Sequence, residues 1–327
     1  MNPQAKLLEN IFTEPAMAAT RDGFGKGLVE AASVDARVVA LSADLTESTR
    51  VEAFAKTYPD RFVEMGVAEQ NMATVAAGMA NYGKLPFITS YAAFSPGRNW
   101  EQIRTTIALN DVPVVICGMH AGVSVGPDGA THQMLEDIAL MRAMPNMIVI
   151  NPSDSEEARK ATIAAAKAGK PVYMRFGREK TPVMTSPETP FEIGKSISCI
   201  ENSASIATII ATGSLLYNAL AAAKQLESEG ISVDVINMHT IKPLDKEAIA
   251  AAAKKTGAIV TVEEHQIHGG LGGAVAEVLA SEAPAPIEFI GVQDMFGQSG
   301  DPKELIEHYD MGSSHIAAAA KKAIERK

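Results

Sequence analysis

The stretch Glu64-Met-Gly-Val-Ala-Glu69-Gln-Asn-Met72 reads as a strand running out, a turn at a glycine, and a carboxylate opening a helix. Residues 69–81 carry that helix on, with Met72, Val75, Ala76 and Met79 at helical spacing. Upstream, residues 37–44 form an apolar run closing on polar residues, the pattern of a buried strand. Downstream the alternation continues. Strands are expected at 85–90, 112–117, 147–151 and 171–176, and helices at 98–109, around 135–141 and at 155–168. Strands alternating with helices predict a mainly parallel sheet wrapped on both faces.

Residues 181–194 break the pattern. They hold Pro182, Pro187 and Pro190 among Thr and Ser, with no helical or strand period, and read as a linker. A second alternating set follows, with strands at 205–211, 232–237, 258–263 and 287–290. Its helices fall at 215–229, 245–255 and 271–281, with terminal helices near Lys303 and Ser314. The expectation is an α/β protein of two doubly wound domains, 1–180 and 195–327, joined by 181–194.

Composition excludes several classes. With 29 Lys and Arg against 39 Asp and Glu, the net charge is −10, which works against binding a phosphate backbone without a local basic cluster. Nucleic acid is therefore not an expected partner. Cys117 and Cys199 are far apart and form no CxxC pair, so neither a disulfide framework nor a zinc site is signalled. The first twenty residues lack the basic start and apolar stretch of a secretory signal. No apolar run approaches the ~20 residues that cross a bilayer. A cytoplasmic protein with no membrane association is expected.

In parallel sheets, ligands gather at the loops leaving the carboxyl ends of strands, where helix N-termini expose backbone donors. Polar and aromatic residues concentrate in such loops of the first domain. Glu69 at a helix start could simply favour the helix dipole. Thr89-Ser-Tyr91-Ala-Ala-Phe94 places two aromatics just past a strand, and taken alone suits core or interface packing. His120-Ala-Gly-Val-Ser-Val-Gly-Pro-Asp128-Gly-Ala-Thr-His132-Gln133 is too long and polar for a plain connection. Its two histidines and aspartate suit proton transfer and hydroxyl recognition, and a metal equally well.

Four segments, in order, are similar to the pyrimidine-binding domain of transketolase: Ser42-Ala-Asp-Leu45, Gly66-Val-Ala-Glu69, Thr89-Ser-Tyr-Ala-Ala-Phe94 and Asp128-Gly-Ala-Thr-His-Gln133. The resemblance runs through residues 21–178, and the second domain resembles the transketolase C-terminal domain. It implies thiamine diphosphate as cofactor. Glu69 then matches the glutamate on N1′ of the aminopyrimidine, Phe94 the ring stacked on it, Tyr91 the adjoining wall, and Asp44 an acidic residue beside the cofactor. His120 and His132 match histidines that contact substrate oxygens and move protons, and Asp128 matches a carboxylate that reads a sugar hydroxyl. Arg21, Ser48 and Arg178 match the residues that hold the distal phosphate of a sugar phosphate, a task suited to the guanidinium fork. Arg175 is the weaker candidate for that task and reads equally as structural.

The family holds the diphosphate and its Mg²⁺ or Ca²⁺ with a Gly-Asp-Gly segment followed by Asn, in a separate N-terminal domain. No Gly-Asp-Gly occurs in this chain. The resemblance therefore implies a partner subunit that carries the diphosphate domain and most of the metal site, and pairwise symmetry makes a two-plus-two heterotetramer the expected assembly. The resemblance implies ketol transfer between sugar phosphates, with the chain inactive alone. Deoxyxylulose-phosphate synthase shares the DG-x-THQ loop, the beta subunit of a 2-oxo-acid dehydrogenase is also a separate chain, and a non-catalytic module would keep the fold alone. Glu263-Glu-His265-Gln-Ile-His268-Gly-Gly-Leu-Gly-Gly273 lacks GxGxxG, since Val275 takes the last position. Its glycines read as helix–sheet packing, and the turn 291–300 reads as structural.

Overall fold

Val, Ile and Leu runs buried on both faces set the strands, as a sheet covered by helices on each side demands. The computed structural model describes residues 1–327. Its first half contains β1 (Met17–Ala19), β2 (Val38–Ser42), β3 (Phe62–Glu64), β4 (Leu85–Tyr91), β5 (Val115–Met119), β6 (Ile148–Ile150), β7 (Val172–Arg175) and β8 (Lys180–Pro182). The second half adds β9 (Ile197–Ile200), β10 (Ala207–Ala211), β11 (Val233–Asn237), β12 (Thr240–Lys242), β13 (Ile259–Gln266) and β14 (Ile287–Val292). The helices of the first half are α1 (Thr20–Val34), α2 (Glu52–Thr57), α3 (Glu69–Asn81), α4 (Trp100–Gln102), α5 (Asp137–Arg142) and α6 (Ser155–Ala165). Those of the second are α7 (Leu216–Ser228), α8 (Lys246–Thr256), α9 (Leu271–Glu282), α10 (Pro302–His308) and α11 (Ser313–Glu325).

The strands form a seven-stranded sheet ordered β12-β6-β7-β5-β4-β2-β3 and a five-stranded sheet ordered β14-β13-β10-β11-β9. Within these two sheets all pairings are parallel except those of β12 with β6 and of β9 with β11. Two α/β units are present, as the alternation implies. The edge strand β12 differs from expectation. It lies beyond residue 195 in sequence yet pairs with the first sheet, Thr240 opposite Ile150 and Lys242 opposite Val149.

The stretch 181–194 is also more structured than its prolines suggest. β8 pairs antiparallel with β1. Asp154, capping α6, accepts hydrogen bonds from the N–H groups of Glu157, Met184 and Thr185 and from the Thr185 hydroxyl. One buried carboxylate thus ends a strand–helix turn and fastens the connection between the units.

Helix α1 and strand β9 are among the elements that the sequence periodicity does not show. Helix α1 contains Gly23, Gly25 and Gly27, which weaken helix propensity. Gly23 and Gly27 are needed because α1 lies directly on α6: a Cβ at Gly23 would sit 1.8 Å from Ser155 O, and one at Gly27 2.6 Å from Arg159 O, whereas one at Gly25 would meet Arg50 O at 2.7 Å. The helix expected at 98–109 is α4 continuing as a π-helical segment, Ile103–Ala108. Strand β9 is a short antiparallel edge on β11.

The two units share a core. One apolar cluster joins Val39, Met72, Ile88 and Ile107 of the first to Ile210, Ile249, Val275 and Leu279 of the second. The two units thus pack through one continuous apolar core.

Candidate active site

Strands β2, β4, β5 and β7 are neighbours, so the loops that follow them open along one sheet edge. Glu69 is the first residue of α3 and is 1% exposed. Its Oε1 accepts a hydrogen bond from Ser90 Oγ of β4 at 3.2 Å, and its Oε2 one from Arg98 Nη1 at 2.7 Å. Its backbone carbonyl accepts from Asn99 Nδ2 at 3.0 Å, which docks the turn after β4 onto the start of α3. Burial of a carboxylate at a helix start, satisfied by specific donors, exceeds what favouring the helix dipole requires.

The turn after β4 carries the aromatic wall. Tyr91 and Phe94 are stacked with ring centroids 6.0 Å apart. His120, at the end of β5, lies face to face with Tyr91 at 3.9 Å. His132 meets Phe94 edge-on at 5.4 Å and Tyr91 at 6.1 Å. The residues expected to wall a cofactor and to meet substrate oxygens therefore form one continuous surface.

His120 is buried, with Nδ1 unpaired. Burial first, and then the positive charges of Arg21, Arg178 and Arg50, lower its pKa to about 3. Its imidazole is neutral near pH 7, able to accept a hydroxyl hydrogen bond at one nitrogen and to donate at the other.

The same charges gather around Arg21. Arg21 Nη1 donates to the backbone carbonyl of Ser48 at 2.8 Å, leaving Nε buried and unpaired. Burial, followed by repulsion from Arg50 and, more weakly, Arg178, lowers the Arg21 pKa. A cation destabilised by desolvation and neighbouring cations gains from an arriving anion. Arg178 Nη1 donates to Val125 O at 2.8 Å and lies 3.5 Å from Asp128 Oδ1. Arg21, Ser48, Arg178, Asp128 and His120 thus converge.

Asp44 and Arg175 stand apart from this cluster. Asp44 is exposed, has φ +59°, and engages through its backbone N–H, which donates to Glu64 Oε1 at 2.7 Å. No hydrogen bond joins its carboxylate to Glu69 or to the aromatic wall. Arg175 is buried, with Nε bonded to Asp137 at 2.9 Å and Nη2 to the carbonyl of Glu264 at 2.7 Å. It ties the two units together, in line with a structural reading.

Sequence reasoning missed Ser90, Arg98 and Gln133 as contributors. Gln133 Nε2 donates to the carbonyls of Val123, Gly126 and Gln298, fastening the His120–Gln133 loop to the turn at 291–300. A Cβ at Gly297 would fall 1.8 Å from Gln133 Oε1, so that glycine permits the contact. Arg98 carried one faint signal, its position one helical turn beyond Phe94.

The aminopyrimidine of thiamine diphosphate fits this donor set: a buried carboxylate for a ring nitrogen, with an aromatic face beside it. No group of three or more His, Cys, Asp or Glu is placed to hold a metal ion. No helix is long and apolar enough to cross a membrane.

Residues 16–184 match the family model "Transketolase, pyrimidine binding domain", and residues 200–316 match "Transketolase, C-terminal domain". A 6-deoxy-6-sulfo-D-fructose transketolase subunit from Clostridium sp. is 39% identical, with 94% of this chain and 95% of the relative aligned. An apulose-4-phosphate transketolase subunit from Phocaeicola vulgatus is 38% identical over 95% of this chain and 99% of its own length. The solved structure titled "Split gene transketolase, inactive beta4 tetramer" superposes with a TM-score of 0.88 at 44% identity, covering 94% of this chain and 98% of that one. Against the transketolase of Rattus norvegicus, 36% identical, the chain spans 48% of the relative's length.

Proposed function

The chain belongs to the transketolase family, and we propose that it is the pyrimidine-side subunit of a split, thiamine-diphosphate-dependent transketolase. It would move a two-carbon ketol unit between sugar phosphates. The observation that carries this reading is Glu69: buried, at a helix start, bonded by Ser90, and beside the Tyr91–Phe94 wall.

Glu69 would hold the proton at N1′ of the aminopyrimidine, Phe94 would stack on that ring, Tyr91 would close the wall, and Asp44 would line its outer side. When bound, the cofactor supplies the electron sink for the transferred unit. His120 and His132 would meet substrate oxygens, with the neutral His120 ring able to accept a hydrogen bond at one nitrogen and donate one at the other. Asp128 would read a hydroxyl, and Arg21, Ser48 and Arg178 would hold the terminal anion. The two relatives are named for a sulfonated and a phosphorylated sugar, both anionic, which supports an anion at that end.

The diphosphate and its Mg²⁺ fall to a partner subunit in this reading, because the chain carries no Gly-Asp-Gly segment. A two-plus-two assembly in the cytoplasm is the arrangement we favour, since closed two-fold symmetry is the commonest way such pairs associate. The related split-gene structure is titled an inactive tetramer of beta chains, which supports inactivity without the partner.

Glu69→Ala tests the assignment. In the assembled pair, turnover should fall about 10²–10⁴-fold, the usual contribution of a positioned acid–base group, with assembly intact. Retained turnover in an intact assembly would remove Glu69 from cofactor activation.

A further inference from the structure

Arg98 is absent from every role assigned so far, yet it touches both halves of the pyrimidine seat. Its Nη1 donates to Glu69 Oε2 at 2.7 Å, and its Cζ lies 4.8 Å from the centroid of the Phe94 ring. One turn presents both groups: Arg98 N–H donates to Phe94 O at 2.9 Å, and neighbouring Asn99 anchors that turn to Glu69 O. A planar, cationic, hydrogen-bond-donating group lies over Phe94 and on the Glu69 carboxylate. Those are the two contacts required of a protonated aminopyrimidine.

We propose that Arg98 is the resident counter-ion of the cofactor seat, exchanged for the aminopyrimidine on binding, so that cofactor binding takes up a proton. This rests on the reading of Glu69 given above. Glu69 is 1% exposed while the Arg98 side chain is 46% exposed, so the arginine has a route toward solvent that the carboxylate lacks. The guanidinium supplies the positive charge that a buried carboxylate needs beside it. A proton held between that carboxylate and a ring nitrogen would take its place. Once Arg98 swings away, charge balance at the buried carboxylate is restored by one proton from solution, shared between Glu69 and the ring.

The surroundings supply no other counter-ion. Helix α3 carries no titratable side chain besides Glu69, and β2, packed against it, carries none. β4 brings Tyr91, which faces His120 and Phe94. The helical segment 100–108 brings Glu101 and Arg104, neither bonded to Glu69. Beyond the turn, His132 meets Phe94 by its ring edge and bonds Thr131.

The test is titration calorimetry of thiamine diphosphate into the Mg²⁺-loaded assembly of both subunits, in buffers of different ionisation enthalpy. Wild type should take up about one proton per site near pH 7, with affinity weakening as pH rises. Arg98→Met removes the counter-ion, so the carboxylate should gain its neutralising proton before the cofactor arrives; uptake should then fall toward zero and the affinity should become flat with pH. Arg98→Lys keeps a counter-ion and should restore the uptake. Glu69→Gln should remove it in the presence of Arg98. A merely structural arginine would change affinity or stability without changing proton stoichiometry. Equal uptake by wild type and Arg98→Met would overturn the inference and leave the Glu69 assignment standing. Absence of cofactor binding to the wild-type assembly would overturn that assignment and this inference with it.

Discussion

Arg175→Met is the sharpest test of how the two units hold the site. The side chains of Arg175 and Asp137 are 5% and 0% exposed, and the guanidinium bonds Asp137 Oδ2 at 2.9 Å and Glu264 O at 2.7 Å. Asp137 Oδ2 also accepts from Tyr173 OH at 2.7 Å, while Oδ1 has no partner. Methionine fills much of the arginine volume but leaves a carboxylate held by one phenol, and a buried carbonyl without its donor. Breaking a buried pair from one side costs about 3–5 kcal/mol, a large part of a total stability of ~5–15 kcal/mol. Urea unfolding can be followed through the single tryptophan, Trp100, whose Nε1 donates to Leu140 O in α5. At an m-value of about 3 kcal/mol/M, the midpoint should fall by about 1–1.7 M. Arg175→Met combined with Asp137→Leu should recover part of the loss, with a coupling energy of about 2 kcal/mol or more. A single-variant loss below ~1 kcal/mol would refute the reasoning, because water would then be replacing the guanidinium. The effect should reach the site as well: Glu264 Oε1 accepts the Ser124 N–H at 2.6 Å inside the His120–Gln133 loop.

Arg178→Met should raise KM for phosphorylated acceptors about 10–150-fold, the equivalent of a charged hydrogen bond, with little change for unphosphorylated ones. Steady-state kinetics on matched acceptors would show it, and equal effects would remove the phosphate role. His120 and His239 each have a pKa lowered to about 3, by burial above all, so their ring resonances in NMR should not titrate between pH 8 and 5. The sign of the linkage follows. The folded pKa of about 3 lies below the ordinary 6.5, so the stability from keeping His120 neutral is present above pH 6.5 and is lost as pH falls toward 3. His120→Gln should flatten the acid limb of a stability–pH curve over that window; an unchanged limb would contradict burial as the cause.

Sequence reading reached the alternation of strands and helices because buried parallel strands must be apolar throughout, as β2, β5, β10 and β11 largely are. It did not reach α1, where Gly23 and Gly27 serve a helix–helix contact and Gly25 a close approach of the Arg50 carbonyl, both brought about only by the fold. Nor did it reach β12, whose partner β6 lies about ninety residues earlier, in the other half of the chain. Pairing at that separation leaves no local trace. Within the site, Glu69, Tyr91, Phe94, His120 and His132 stood out because each lies in or at the edge of a polar or aromatic segment following a strand. Arg98, Ser90 and Gln133 did not. A lone arginine, serine or glutamine in a loop is ordinary until geometry places it 2.7 Å from a buried carboxylate, or under the turn that carries Gly297.

The most direct measurement is ketol transfer from xylulose phosphate to ribose phosphate, with thiamine diphosphate and Mg²⁺, for this chain, for a diphosphate-domain subunit, and for the two together. The account predicts turnover only in the mixture. Turnover by this chain alone would contradict the division of the active site between two subunits. A mixture that assembles and binds cofactor yet transfers no ketol unit would contradict the assigned reaction on these substrates.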